Sequence, residues 1–302
     1  PKSYPDTGDI RLTRREGILE LAPDKRIVEL QMLIEIALRA ARVAGEISRR
    51  HFLDHNLAVD SKEDGTPVTS ADRQAEEAMR EILRQGAPEL GIFGEEYGHE
   101  GDLHDRWIID PIDGTQNFID GVPHFAALIG LQLEGQSVLG VVHCSVLGSQ
   151  EGAPEQLGQS WWGGPGVGAW KGPGTTSESV RARQLQSRPC SRLEDAFICH
   201  GGLKHIQDSG LWGPFTEIIA SSRRSRGYGD WMGHMLVAEG VCDGMVDPRV
   251  ALYDLAAVEP ILLAAGAVLI ASEPLPLQDG FLGQAVSGTA SIASDLAQRL
   301  DF

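Results

Sequence analysis

Two aspartates stand three residues apart in the segment Asp110-Pro111-Ile112-Asp113-Gly114-Thr115. Paired carboxylates in a stiff, narrow turn suit a hard divalent cation that carries a phosphate. Pro111 fixes its own φ and restricts the residue before it, and Gly114 lets the backbone approach a ligand closely. Asp and Gly are also ordinary turn residues, so a plain turn stays open as the alternative.

The spacing of these acids excludes two better-known sites. A calcium loop of the EF-hand type needs oxygen ligands at alternating positions, and Asp110 and Asp113 do not alternate. A phosphatase that works through an aspartyl-phosphate usually shows Asp-x-Asp-x-Thr, and here the first Asp lies one residue too far away.

The elements that must position these acids can be read from the hydrophobic pattern. The apolar run 107–109 predicts a buried strand that ends at Asp110, and 91–94 predicts a strand that ends at Glu95-Glu96. Two adjacent acids repel each other, which is tolerable at a solvated surface or beside a cation. Apolar residues at spacings of three and four predict a helix over 24–52, and Thr69 with Asp72 resembles a capping box before a second helix.

The rest of the chain divides into two patterns. Alternating apolar runs over 125–133, 138–146, 161–162 and 167–170 predict antiparallel strands. A Gly, Ser and Thr rich stretch at 172–178 indicates a boundary, beyond which strands and helices alternate, among them helices over 214–221, 230–239 and 254–265. We therefore expect a flexible extension at 1–23, an N-terminal part at 24–178 and a C-terminal part at 179–302.

Composition limits the partners. With 302 residues, 42% hydrophobic and 23% charged, the chain can bury a large core. A net charge of −17 argues against a nucleic acid or an anionic membrane as partner, and a phosphorylated small molecule would need bound cations. Four cysteines without a C-x-x-C pair fit a reducing compartment, and residues 1–22 are too charged for a signal peptide, so we expect a cytoplasmic protein.

Three separate motifs carry a resemblance to a known family. They are Gly94-Glu95-Glu96, the run Trp107 to Phe118, and Tyr253-Asp254-Leu-Ala-Ala257 followed by Gly266. In order and separation they resemble the signature motifs of the inositol monophosphatase-like family of magnesium-dependent, lithium-sensitive phosphatases, although most of that family has Trp where Tyr253 stands. The similarity covers about residues 25 to 300. The fold expected is α/β, with alternating helix and sheet layers in an αβαβα sandwich of the sugar-phosphatase type.

The resemblance implies a role for each matching residue. Two or three Mg²⁺ ions per site would be held by Glu95, Asp110, the backbone carbonyl of Ile112, Asp113 and Asp254, most of them in the N-terminal part. Glu95 and Thr115, the latter linked to Asp72, would orient the water that attacks phosphorus. The backbone amides of Gly114 and Thr115 would bind the phosphate at the start of a helix. For Asp72, the capping box is the structural alternative.

Two further segments would line the pocket for the leaving alcohol. They contain Gly229-Asp230-Trp231 and Asp247, and they look more like the histidinol-phosphatase branch than the inositol branch, which tends to carry Thr and Glu at the positions of the two acids. Histidinol phosphate bears an ammonium and an imidazole that carboxylates can pair with, whereas inositol offers neutral hydroxyls. The alternatives are that Asp230 caps a helix and that Asp247-Pro248 is a turn.

The activity expected from this resemblance is hydrolysis of L-histidinol phosphate, a step of histidine biosynthesis. Inositol-1-monophosphatase and 3′(2′),5′-bisphosphate nucleotidase, with the same mechanism, are the alternatives. A non-catalytic binding protein is disfavoured because every implied metal ligand and Thr115 are present. The expected partner is a small phosphorylated metabolite, and the family is commonly homodimeric.

Overall fold

The computed structural model describes residues 23–52, 59–61, 67–148, 158–173 and 182–302. The predicted N-terminal extension, apart from Pro23, and most of the predicted boundary at 172–178 lie outside these residues. None of the helices within the described ranges is long and apolar enough to cross a membrane.

The helices and strands of the described residues follow one another along the chain. The helices are α1 (Pro23–Phe52), α2 (Ser70–Gly86), α3 (Thr115–Ile119), α4 (Leu203–Asp208), α5 (Trp212–Ser221), α6 (Asp230–Ala238), α7 (Leu252–Ala256), α8 (Val258–Ala264) and α9 (Ala290–Leu300). The strands are β1 (Val59–Ser61), β2 (Pro67–Thr69), β3 (Gly91–Gly94), β4 (Gly98–Glu100), β5 (Arg106–Asp113), β6 (Ala126–Leu133), β7 (Gln136–Cys144), β8 (Gln159–Gly164), β9 (Gly168–Pro173), β10 (Arg183–Gln184), β11 (Phe197–His200), β12 (Arg224–Arg226), β13 (Gly244–Ala251), β14 (Val268–Ala271) and β15 (Leu282–Gly288).

Two large sheets organise these elements. The first has eight strands in the order β10-β9-β8-β7-β6-β5-β3-β4, antiparallel except where β3 runs parallel to β5. The second has five strands in the order β12-β11-β13-β15-β14, with β11 parallel to both of its neighbours. The first sheet carries the predicted antiparallel strands, and the second carries the alternating pattern beyond residue 182.

Helices cover the faces of both sheets. α1 and α2 pack on one face of the eight-stranded sheet, and α6, α7 and α8 fill the space between the two sheets. α5 and α9 pack on the outer face of the five-stranded sheet. The layers therefore alternate as αβαβα, which confirms the predicted fold class.

The apolar spacing of the first two helices explains where they lie. α1 begins at Pro23, one residue before the predicted start, and ends at Phe52 as predicted; it buries Leu33, Ala37 and Ala44 against the sheet. α2 begins after Thr69, whose hydroxyl accepts hydrogen bonds from the amides of Ala71 and Asp72. Satisfying these first amides of the helix is the function of an N-cap.

The predicted helix over 254–265 differs in the structure. It begins earlier, at Leu252, and divides at Ala257 into α7 and α8. Pro260 gives the physical reason, because proline has no amide hydrogen to donate four residues back. The break lets the backbone of this segment pass closely over the sheet at Gly140, where a side chain would overlap the carbonyl oxygen of Ala257.

Candidate metal centre

Asp110 and Asp113 meet because β5 is irregular between them. Asp110 pairs with Leu128 and Asp113 with Ala126, so three steps along β5 match two steps along β6. In a regular strand, side chains three residues apart point to opposite faces. The extra residue of the bulge brings them to one side, and Pro111, which cannot donate to a sheet, is suited to this position. The strand thus continues to Asp113, and the predicted strand end at Asp110 was wrong.

Asp254 reaches the same place from the first turn of α7. Its Oδ2 accepts a hydrogen bond of 2.7 Å from the amide of Ala251, which orients the carboxylate at the start of the helix. Asp110, Asp113 and Asp254 each offer a ligand oxygen, and these oxygens lie within 4.8 Å of one another. We call these three residues the aspartate cluster.

The electrostatics of the aspartate cluster are unfavourable without a cation. Burial raises the pKa of Asp110 well above its usual range, and the charges of Glu95, Asp113 and Asp254 raise it further. Burial likewise raises the pKa values of Asp113 and Asp254 well above the usual range. Carboxylate oxygens at this separation are the ligands that a hard divalent cation prefers, and such a cation would replace their repulsion by attraction. The residues therefore fit a divalent metal.

Glu95 lies at the edge of the cluster, on the turn after β3. Its amide donates to the carbonyl oxygen of Ile109 at 3.2 Å, and its carboxylate is close enough to raise the pKa of Asp110. The turn is held by the buried Glu76 of α2, whose carboxylate accepts hydrogen bonds from the amides of Glu96 at 2.7 Å and Tyr97 at 3.1 Å. Gly94 permits this approach, because a side chain there would overlap the Glu76 carboxylate.

The residues predicted to bind phosphate follow directly on the bulge. Gly114 adopts a left-handed conformation, with φ 86°, and α3 begins at Thr115. The first amides of a helix have no partner within it, so they are available to an anion. The Thr115 hydroxyl donates to the carbonyl oxygen of Ile112 at 3.0 Å, and the amide of Ile112 donates to Asp110 Oδ1 at 2.8 Å.

Asp72 takes part in the capping box that the sequence suggested. Its Oδ2 accepts hydrogen bonds from the amide of Thr69 at 2.8 Å and from the Thr69 hydroxyl at 2.6 Å. Burial raises its pKa, and the charge of Glu96 adds to this. The capping alternative is confirmed, whereas a link between Asp72 and Thr115 stays a prediction.

The segment predicted to contact the substrate is hydrogen-bonded to the turn that contains Asp113. The amide of Trp231 donates to Asp113 Oδ2 at 2.9 Å. Asp230 has a left-handed backbone, with φ 52°, and its Oδ2 accepts a hydrogen bond of 2.9 Å from Asn117 Nδ2. The carbonyl oxygen of Gly229 accepts from His124 Nε2 at 3.2 Å. The predicted pocket therefore borders the aspartate cluster.

Asp247 lies on β13 near the same pocket. It is almost fully buried, and its Oδ2 lies 3.7 Å from Nε2 of the buried His234. Burial raises the pKa of Asp230, and the negative charge of Asp247 raises it further. Asp247 also raises the pKa values of Asp113 and Asp254. Because the charges of both Asp230 and Asp247 raise the pKa of Asp113, we call these two residues the acidic pair beside the aspartate cluster.

Three residues of this arrangement escaped the sequence analysis. Asn117 donates to the Asp230 carboxylate, and His124 donates to the carbonyl oxygen of Gly229. Glu76 accepts a hydrogen bond from the backbone of the turn after β3. For Glu76 a signal was present, since a Glu and an Arg four residues apart stand among the buried positions of α2. Asn117 and His124 carry no such periodic signal, because their partners lie far along the chain.

Known proteins resemble this chain in sequence and in fold. A model of the inositol monophosphatase family matches residues 29–299. The histidinol-phosphatase of Mycobacterium tuberculosis is 34% identical over 267 residues, which make up 88% of this chain and 96% of that protein. The histidinol-phosphatase of Streptomyces coelicolor is 37% identical over 237 residues, 76% of this chain and 84% of that protein.

A comparison with solved structures shows the same fold. The extragenic suppressor protein SuhB of Bartonella henselae superimposes with a TM-score of 0.73 at 25% identity, covering 89% of this chain and 98% of that one. The family match spans both sheets and all of the motifs singled out in the sequence. The chain therefore belongs to the inositol monophosphatase family, which confirms the predicted resemblance.

Proposed function

We propose that this protein is a magnesium-dependent phosphomonoesterase that hydrolyses L-histidinol phosphate to L-histidinol and phosphate. The observation that carries the proposal is an acidic pair, Asp230 and Asp247, that borders a cluster of three aspartates able to bind metal. The names of the relatives with 34% and 37% identity support the same substrate.

The metal chemistry rests on oxygen ligands. Asp110, Asp113 and Asp254 would hold Mg²⁺, joined by Glu95 and the carbonyl oxygen of Ile112. Bound there, Mg²⁺ would neutralise phosphate charge and make water more acidic at neutral pH.

The protein supplies orientation around that site. The amides of Gly114 and Thr115, at the start of α3, would bind the phosphate oxygens. Glu95 would accept a hydrogen bond from the attacking water, and the Thr115 hydroxyl would orient the same water, with Asp72 in support. Water that attacks phosphorus in line with the leaving oxygen yields phosphate and the free alcohol without a phosphoenzyme.

Substrate choice follows from charge. The negative charge of Asp247 raises the pKa of Asp230, and a ligand that brings positive charge to the acidic pair would relieve this repulsion. The ammonium of histidinol phosphate does so, and its imidazole adds a second positive charge when it is protonated; each cation can form charge-assisted hydrogen bonds with Asp230 or Asp247. Inositol monophosphate offers only neutral hydroxyls, and adenosine 3′,5′-bisphosphate adds negative charge.

A phosphate-release assay over these three substrates tests the proposal. We expect the highest kcat/KM with L-histidinol phosphate in Mg²⁺, inhibition by Li⁺, and no release in EDTA. Asp230→Asn and Asp247→Asn should each lower kcat/KM for histidinol phosphate more than for inositol 1-phosphate. Equal kcat/KM of the wild type for these two substrates would contradict the assignment, and no release from any would indicate a non-catalytic binding protein.

We also propose a cytoplasmic homodimer. The four cysteines, all within the described residues, are free, which fits a reducing compartment. The dimer rests on family resemblance, and light scattering coupled to size-exclusion chromatography tests it, with a monomeric mass as the contrary result.

A further inference from the structure

The side chain of Asn117 bridges the phosphate-binding helix and the substrate pocket. Asn117 lies on α3, two residues after Thr115, and its Nδ2 donates to Asp230 Oδ2 at 2.9 Å. Asp230 begins α6, in the part of the chain that contributes the second sheet. This hydrogen bond therefore joins the group expected to bind phosphate to the acid expected to bind the leaving alcohol.

The backbone around Asp230 is held on both sides by the same stretch of chain. On one side the Gly229 carbonyl accepts from His124 at 3.2 Å, and on the other the Trp231 amide donates to Asp113 at 2.9 Å. A left-handed conformation at a residue other than glycine costs about 1 kcal/mol and persists only where the surroundings impose it. With the backbone held in this way, the partner of the carboxylate decides where its oxygens point.

The chemistry of that partner matters. The negative charge of Asp247 acts on the Asp230 carboxylate, and the hydrogen bond from Asn117 offsets part of this repulsion. An arginine or lysine would neutralise the carboxylate, whereas the amide of Asn117 occupies one oxygen and leaves the charge in place. Within the described part of the chain this carboxylate has no other side-chain hydrogen bond, so its second oxygen can accept from a cation of the substrate.

We infer that Asn117 is a positioning residue that sets the orientation of the Asp230 carboxylate and so contributes to selection of a leaving group that carries positive charge. The inference rests on the proposed function, since it assumes that Asp230 binds the substrate. Asn117 acts through Asp230 and does not itself touch the cationic group.

Steady-state kinetics of the magnesium-loaded enzyme on two substrates test this role. L-histidinol phosphate carries the cationic groups, and β-glycerophosphate has a neutral leaving alcohol. For Asn117→Ala we expect the kcat/KM ratio of histidinol phosphate to β-glycerophosphate to fall about tenfold, mainly through KM, as for loss of one hydrogen bond to a charged group. Gln116→Ala, an exposed position on the same helix, should leave this ratio unchanged.

A double-mutant cycle separates positioning from a general structural effect. In the Asp230→Asn background, Asn117→Ala should add less than a twofold change to the ratio, because the carboxylate that it orients is gone. A tenfold effect that persists in that background, or an equal loss for both substrates, would overturn the inference.

The same data distinguish the two hypotheses. If the wild type does not prefer histidinol phosphate over β-glycerophosphate, the proposed substrate is wrong and the inference falls with it. If the wild type and Asn117→Ala show the same preference while Asp230→Asn loses it, the proposed function stands and only the role of Asn117 is refuted.

Discussion

Replacing Asp113 by asparagine should stabilise the metal-free protein while it abolishes metal-dependent activity. Its carboxylate lies within 4.8 Å of those of Asp110 and Asp254, and the charges of Asp230 and Asp254 both raise its pKa. Two unit charges at 4.8 Å repel by about 3.5 kcal/mol at an effective dielectric constant of about 20. Proton uptake by the aspartate cluster already relieves part of this repulsion, so we expect Asp113→Asn to raise the unfolding free energy of the metal-free protein by about 1 to 3 kcal/mol.

Thermal unfolding in EDTA and in Mg²⁺ measures both effects. In EDTA, Tm of Asp113→Asn should exceed that of the wild type by roughly 2 °C per kcal/mol. Saturation with Mg²⁺ should reverse the order, because a ligand at 100 times its Kd stabilises the wild type by about 2.7 kcal/mol and the variant loses a ligand oxygen. Asparagine keeps an oxygen that can accept from the Trp231 amide, so that hydrogen bond need not be lost.

A matched control removes a charge elsewhere. Glu217→Gln, at an exposed position on α5, lowers the net negative charge by the same amount and should change Tm in EDTA by less than about 1 °C. The reasoning is refuted if Asp113→Asn is less stable than the wild type in EDTA, or if Mg²⁺ raises both Tm values equally. Full phosphatase turnover by the variant would reject the metal site itself.

Three further predictions concern the same structure. In EDTA the unfolding free energy of the wild type should fall as pH rises above about 4, because carboxyl groups whose pKa is raised in the folded state stabilise that state only while they are protonated. Mg²⁺ should remove this fall. Denaturant titrations in EDTA that show no pH dependence would contradict the prediction. Glu76→Ala leaves the buried Arg80 without its nearest carboxylate, so it should lower the unfolding free energy by about 3 kcal/mol and weaken activation by Mg²⁺. Glu77→Ala, at an exposed position on the same helix, should change the unfolding free energy and the activation little. Equal effects of the two variants would refute this prediction. Gly140→Ala should lower the unfolding free energy by about 2 kcal/mol or more, because the added methyl group would collide with the backbone at the α7–α8 break. Gly213→Ala, on α5 with open space around it, should raise the unfolding free energy by about 0.5 kcal/mol. An unchanged unfolding free energy of Gly140→Ala would contradict the close packing.

Much of the fold was predictable because its signals are local. The apolar spacing of α1 and the capping box before α2 involve residues three or four apart, and such pairs meet in any helix. The alternation of strands and helices also predicted the layered fold class. The division between α7 and α8 was missed although Pro260 marks it, because Leu255, Val258 and Leu262 keep the helical spacing of three and four across the break.

The candidate site shows where local signals end. The sequence by itself determined which oxygen donors exist, in which order they occur and which family they resemble, because these are properties of residue types and spacing. Only the tertiary structure decided that Asp110 and Asp113 share a side, since a strand alone would separate them and the bulge is set by pairing with β6. The tertiary structure likewise decided that Asp254 lies beside these two acids and that Asn117 donates to Asp230. Contacts between residues far apart in the chain follow from sheet register and helix packing, which leave no periodic pattern in the sequence.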